Sequence, residues 1–149
     1  MSIWVFLAIF IISVTAFLCI ILRPKKTVIV RGIKLGIALL VIDFIFENSG
    51  LIFGYWKTSG SIFAIGAVPI EVMIIAFCVG IIYAMLFAKK FISNLAVTSS
   101  LLIAVIGTGI EALLISMDVF TYYSPWTSCL ALISYFIAFL LMHKLNSTL

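Results

Sequence analysis

The chain has 149 residues, 66% of them hydrophobic and only 9% charged, with a mean hydropathy of +1.42. A soluble domain is about a quarter charged and about half apolar, so this composition excludes a soluble enzyme or binding module and describes an integral membrane protein. The basic balance, a formal net charge of +4, reflects where cations sit along a membrane chain rather than affinity for nucleic acid.

In chain order, apolar segments run over about 3–22, 34–54, 68–88, 95–119 and 128–143. At roughly 20 residues per span, they predict an all-α membrane protein with five transmembrane helices in one domain, 1–149. The first segment is expected to remain as a span. Its leading Met-Ser-Ile-Trp has no basic region, and Arg23-Pro-Lys-Lys follows in place of a small-residue cleavage site. Arg23, Lys25, Lys26, Arg31 and Lys34 lie in or beside the first connection, Lys89 and Lys90 in the third, and Lys144 after the last span. Lys57 alone lies in the second connection. Eight of the nine cations therefore share one side, which the positive-inside rule makes cytoplasmic. The N-terminus is then outside and the C-terminus inside, in a multi-pass protein of the cell membrane. Tyr55, Trp56, Tyr122, Tyr123 and Trp126 gather at the outer ends of spans 2 to 5, as an interfacial aromatic belt does.

The acidic residues are Asp43, Glu47, Glu71, Glu111 and Asp118. A carboxylate in a bilayer costs several kcal/mol unless it is neutral, paired or facing a polar cavity. Measured outward from Lys34, Asp43 is ~13 Å and Glu47 ~20 Å along span 2. Glu71 stands two residues after Pro69 at the outer start of span 3. Glu111 falls past the midplane of span 4, and Asp118 near its outer surface. The expected acidic site is thus in the outer half of the bilayer. Asp43 and Glu47 are i,i+4, and Glu111 and Asp118 i,i+7, so each pair lines one helix face. Asn48, Ser49, Thr108 and Ser116 add hydrogen-bonding groups nearby, and Gly50, Gly54, Gly107 and Gly109 permit close packing or room for a ligand. Spans 2–3 and 4–5 also read as a parallel two-hairpin repeat. Each has an outward helix with a glutamate, an aromatic outer turn with a proline, and a return helix.

Each acid also has a structural reading. Asp118 is close enough to the interface to reach water, and Glu71 suits a helix start after Pro69. Taken together, the acids suit proton chemistry. A protonated carboxyl against an electron-rich double bond is a general acid, a neighbouring carboxylate can take the proton afterwards, and aromatic faces stabilise a passing cation. Cys19, Cys78 and Cys129 stand singly without ligand spacing, and His143 beside Lys144 reads as an interfacial residue at the end of the last span. No cofactor and no metal are expected.

The run Gly54-Tyr-Trp-Lys-Thr-Ser-Gly-Ser-Ile-Phe-Ala-Ile-Gly-Ala-Val-Pro69-Ile-Glu71 resembles the outer turn of the small membrane lycopene cyclases, where a Trp-containing turn leads into a Pro-x-Glu-Glu helix start. Glu47-x-x-Gly50-x-x-x-Gly54-Tyr55-Trp56 is similar to the glutamate–glycine–aromatic pattern of the related carotenoid hydratases. The resemblance covers roughly residues 40–135. It implies non-redox protonation of an isoprenoid end, followed by ring closure or capture by water. It puts Glu71 in place of the first glutamate of the cyclase motif and Glu47 in place of the helix glutamate. Val72 stands where the second cyclase glutamate would be, so either Glu47 or Glu111 supplies that acid or the reaction differs from cyclisation.

The expected catalytic set is therefore Glu47, Glu71 and Glu111, with Asp43 and Asp118 as tuning or secondary acids. Asn48, Tyr55, Trp56, Phe120 and Tyr122 would line the substrate pocket. The substrate would be a membrane lipid or isoprenoid, with no nucleic acid involved; a homo-oligomer or a heteromeric membrane partner both stay open. The alternative is a small transporter or proton/cation-coupled protein using the same carboxylates. A third reading is a partner subunit whose acids fix helix packing.

Overall fold

A computed structural model describes residues 2–66 and 68–149. Five helices dominate it: α1 (Ile3–Leu22), α2 (Lys26–Phe53), α3 (Ile70–Leu86), α4 (Ser93–Ser116) and α5 (Ser128–Thr148). Four short strands lie between them: β1 (Trp56–Thr58), β2 (Ala64–Ile65), β3 (Val68–Pro69) and β4 (Phe120–Tyr122). The helices α1, α4 and α5 are long and apolar enough to cross a membrane, and α3 is a shorter apolar helix of 17 residues. The outward faces match that role, with Ile20 70%, Ile52 79% and Leu113 65% exposed, an exterior suited to lipid rather than water.

The helix boundaries follow from local chemistry. Ser2 opens α1 by accepting from the Trp4 N–H, and Pro24 stops it one residue beyond Arg23. Gly54 closes α2 in the left-handed conformation, with φ 67°, which costs glycine nothing. Thr127 caps α5 by accepting from the Leu130 N–H.

Three features differ from the sequence expectation. The second helix starts at Lys26, inside the expected first connection, so Arg31 and Lys34 are helical. The last helix continues past 143 to Thr148. In both places a charged or polar turn extends an apolar helix, and hydropathy alone does not mark where the helix ends. The fold is also not purely α. Trp56-Lys-Thr and Phe120-Thr-Tyr, rich in aromatic and β-branched residues, pair as an antiparallel ribbon, and β2 pairs with β3 in a small hairpin.

Packing follows the chain as two helical hairpins, α2 on α3 and α4 on α5, with α1 against α3 and a smaller contact between α2 and α5. Gly36 and Gly80 let the α2 and α3 backbones meet: a Cβ on Gly80 would run into Gly36 itself. The α4 face uses Ala96, Ser100 and Ala104, all fully buried. There are two cores. One joins Leu35, Leu39, Tyr83, Phe139 and Met142 across α2, α3 and α5; the other joins Trp4, Trp56, Leu114 and Phe120. The second core sits at the end where Trp4 donates through Nε1 to the Ser59 carbonyl at 2.8 Å and Ser2 reaches the Gly60 carbonyl. At the opposite end, Arg31 and Asn146 donate to the last carbonyls of α3 and the residues just after it, those of Ala84, Phe87 and Ala88. The β1–β4 ribbon thus roofs one end of the bundle, and cationic side chains collect at the other.

Candidate functional site

Under the ribbon, α2 and α4 bring their acids near one another. Asp43 and Glu47, one helical turn apart, and Glu111 of α4 lie close enough to interact electrostatically. Little direct helix packing joins α2 to α4, so the acids meet across the seam between the two hairpins. Each glutamate has donors from the neighbouring elements. The indole Nε1 of Trp56 donates to Glu47 Oε2 at 2.8 Å. Tyr135 of α5 donates to Glu111 Oε1 at 2.6 Å, and Tyr122 donates to Glu111 Oε2. Trp56 and Tyr122 are cross-strand partners in the β1–β4 register. One cross-strand pair of the ribbon therefore holds both glutamates, one from each hairpin.

Burial, and then the hydrogen bond to Glu111, push the Tyr122 phenol above its ordinary value, so it remains a donor at neutral pH. Asp43 Oδ2 and Thr108 Oγ1 are shielded from solvent and have no hydrogen-bond partner among the described residues. Both stand one turn from a glutamate, Thr108 before Glu111 and Asp43 before Glu47.

Aromatic rings flank the acids. Phe46 stacks on Trp56 at 5.0 Å, Trp126 lies 4.6 Å from Trp56, and Tyr55 stacks on Trp126 at 5.7 Å. Centroid separations in this range are those of attractive ring pairs. Phe120 is buried in the same cluster as Trp56, with its ring edge-on to Tyr122 at 5.4 Å.

The other expected site residues make contacts of their own. Glu71 is buried in the first turn of α3, where Oε1 accepts from the Ile62 N–H at 3.1 Å and Oε2 has no partner among the described residues. It fastens the loop between β1 and β2. Asp118 is exposed in the left-handed conformation just after α4, and its carbonyl accepts from Ser59 Oγ at 3.0 Å. Asn48 donates back to the Phe44 carbonyl at 2.7 Å, and its side chain packs against Gly66. His143, near the end of α5, is buried against α3 and the residues that follow it. Its Nδ1 pairs with the Tyr83 hydroxyl at 2.6 Å, and Phe87 and Phe91 enclose the ring.

Sequence reasoning missed Tyr135 and Phe46 as members of the site. A lone tyrosine in the middle of an apolar helix was the available signal for Tyr135; Phe46 had none among so many phenylalanines. Among the described residues, no group of three or more His, Cys, Asp or Glu side chains is arranged to hold a metal ion. Compared with protein families, curated proteins and solved structures, the chain has no match in any of the three.

Proposed function

We propose that this chain is a five-span membrane enzyme that transfers protons to and from a double bond of an isoprenoid lipid without redox chemistry. The observation that carries this reading is the facing pair Glu47 and Glu111, held by cross-strand partners and flanked by an aromatic group. Glu111 accepts hydrogen bonds on both oxygens, which suits a carboxylate, an acceptor-only group. Glu47 accepts one bond from Trp56, on Oε2, which leaves Oε1 to carry a proton. Glu47 is then the general acid. Its proton adds to one carbon of the double bond, and the π electrons form the new C–H bond, leaving a carbocation beside Trp56 and Trp126. In cyclisation, a second double bond of the substrate attacks the cation and Glu111 removes a proton from the product cation. In isomerisation, Glu111 removes the proton directly. In hydration, water attacks instead and Glu111 takes its proton. Asp43 tunes the pair, and Glu71 positions the loop.

In the same reading the N-terminus is outside, the C-terminus is cytoplasmic, and the two hairpins are a parallel repeat. Antiparallel pairing of β1 with β4, strands at matching positions of the hairpins, is what a two-fold axis along the membrane normal would bring about. The resemblance to lycopene cyclases and carotenoid hydratases points to a carotenoid-like substrate.

The test is lipid mass spectrometry on a host that makes long-chain isoprenoids, expressing the chain or its Glu47→Gln variant. A product isomeric with its precursor, or heavier by one water, that vanishes with the variant supports the proposal. An unchanged isoprenoid profile, with the precursor detected and the protein folded and abundant, sinks it.

A second reading, a proton- or cation-coupled transporter, draws on the buried Tyr83–His143 pair toward the other end of α3 and α5. It requires a path through the core of Leu39, Phe139 and Met142 that separates the two polar sites. A pH-dependent flux in liposomes, abolished by His143→Phe, would favour it.

A further inference from the structure

We propose that the cationic end of the bundle binds the phosphate headgroup of an anionic phospholipid. A groove of about 490 Å³ lies there, lined by Lys26, Arg31, Lys34 and Lys89 together with Thr27 and Leu149 among others. That volume falls within the usual range for ligand sites, about 300–1,000 Å³. None of the five acidic side chains of the chain lines it, so four cations share the space with no carboxylate but the main-chain carboxyl of Leu149.

Two details of the backbone and side chains favour an anion. The groove includes the N-terminus of α2, which has no side-chain cap and no acidic residue in its first turn. The Val28 N–H already donates to the Lys25 carbonyl at 2.8 Å, so the N–H groups of Lys26 and Thr27 and the positive end of the helix dipole are what the turn offers an external acceptor. Arg31 is already oriented: its Nη2 donates to the Ala84 and Phe87 carbonyls at 2.8 and 3.4 Å. An arginine fixed in this way loses little freedom when it meets a phosphate.

The surrounding surface selects a lipid over free phosphate. Ile29, Val30 and Ile33, on the same turns of α2 as the cations, are 40%, 44% and 41% exposed. Acyl chains can cover these side chains while the headgroup meets the lysines. A soluble anion gains nothing from them. Basic residues at the end of membrane helices attract anionic headgroups in this way.

The experiment is native mass spectrometry of the full chain in mild detergent, titrated with phosphatidylglycerol and, separately, phosphatidylcholine. Lys34 and Lys89 are exposed, so Lys34→Gln and Lys89→Gln should fold, and their thermal unfolding is checked alongside. Arg31 is left intact because it also caps α3. The wild-type chain should prefer phosphatidylglycerol, and each lysine removed should weaken that binding about five-fold. Lys57→Gln, in the ribbon at the other end, should leave it unchanged. Equal binding of the two lipids by the wild type overturns the proposal, as does undiminished phosphatidylglycerol binding by the folded double variant. Displacement of the bound lipid by excess inorganic phosphate would assign the groove to a soluble anion and overturn it equally.

Discussion

Each hairpin carries a glutamate in its first helix, and the two surround it differently. In the first, α2 and α3 touch through Gly36 and Gly80, and Glu47 takes a hydrogen bond from the indole of Trp56. In the second, α4 presents Ala96, Ser100 and Ala104 as its buried small residues, and Glu111 takes two hydrogen bonds from Tyr122 and Tyr135. A shared architecture therefore holds two chemically unequal acids. An acid–base pair needs that inequality, since one group must give a proton while the other receives one.

The strongest way to break the comparison is to remove each carboxyl in turn. Glu47→Gln and Glu111→Gln should each lower the rate of isoprenoid conversion by about 10²–10⁴-fold, the usual worth of a general acid or base. Circular dichroism in detergent should remain that of the folded chain. A large loss from one variant beside a negligible loss from the other would reduce the pair to a single working acid.

The donors sharpen it next. A hydrogen bond to a charged group contributes about 1.5–3 kcal/mol, or roughly ten- to hundred-fold in rate if it serves the transition state. Tyr135→Phe leaves Glu111 its Tyr122 donor, so its effect should be at the low end of that range. The Tyr122→Phe/Tyr135→Phe double variant should lose more than the two single losses combined, because the first removal leaves a substitute donor and the second does not. Strict additivity in the measured rates would mean that the phenols act separately.

Packing gives a smaller contrast. Gly80→Ala pushes a methyl into the Gly36 backbone and should cost about 1–3 kcal/mol. Ala104→Gly removes a methyl from the α4 face, and its loss of helix propensity is about 1 kcal/mol. Thermal unfolding in one detergent should rank Gly80→Ala as the less stable variant. The reverse order would show that α4 and α5, not α2 and α3, form the tighter interface.

Which parts of this were legible beforehand follows from how far each signal reaches along the chain. Spacing alone put Asp43 and Glu47 on one face, and composition put Glu111 in a second helix, because period and hydropathy are local. The meeting of Trp56 with Tyr122 was not legible: strands of three residues carry no period, and their partners are 66 positions apart. Tyr135 was hidden for a similar reason, since its partner Glu111 lies in another helix. The end of the last helix was misplaced because the apolar run stops at His143, while the helix continues through Lys144 to Thr148 on polar side chains.

Glu71 supplies the smallest and most discriminating test, because it belongs to the first hairpin alone. Its Oε1 accepts from the Ile62 N–H, and a glutamine amide oxygen can accept the same bond. Glu71→Gln should therefore keep both the loop and the rate close to wild type. Glu71→Ala strands that N–H and should cost about 1–3 kcal/mol of stability, read as a lower unfolding temperature. Its turnover should fall only as far as the loosened loop disturbs Trp56. A rate for Glu71→Gln as low as that for Glu47→Gln, in a variant as stable as wild type, would bring Glu71 into the proton transfer itself. The role implied by the Pro69-Ile-Glu71 resemblance would then replace the loop-holding role argued from its hydrogen bond.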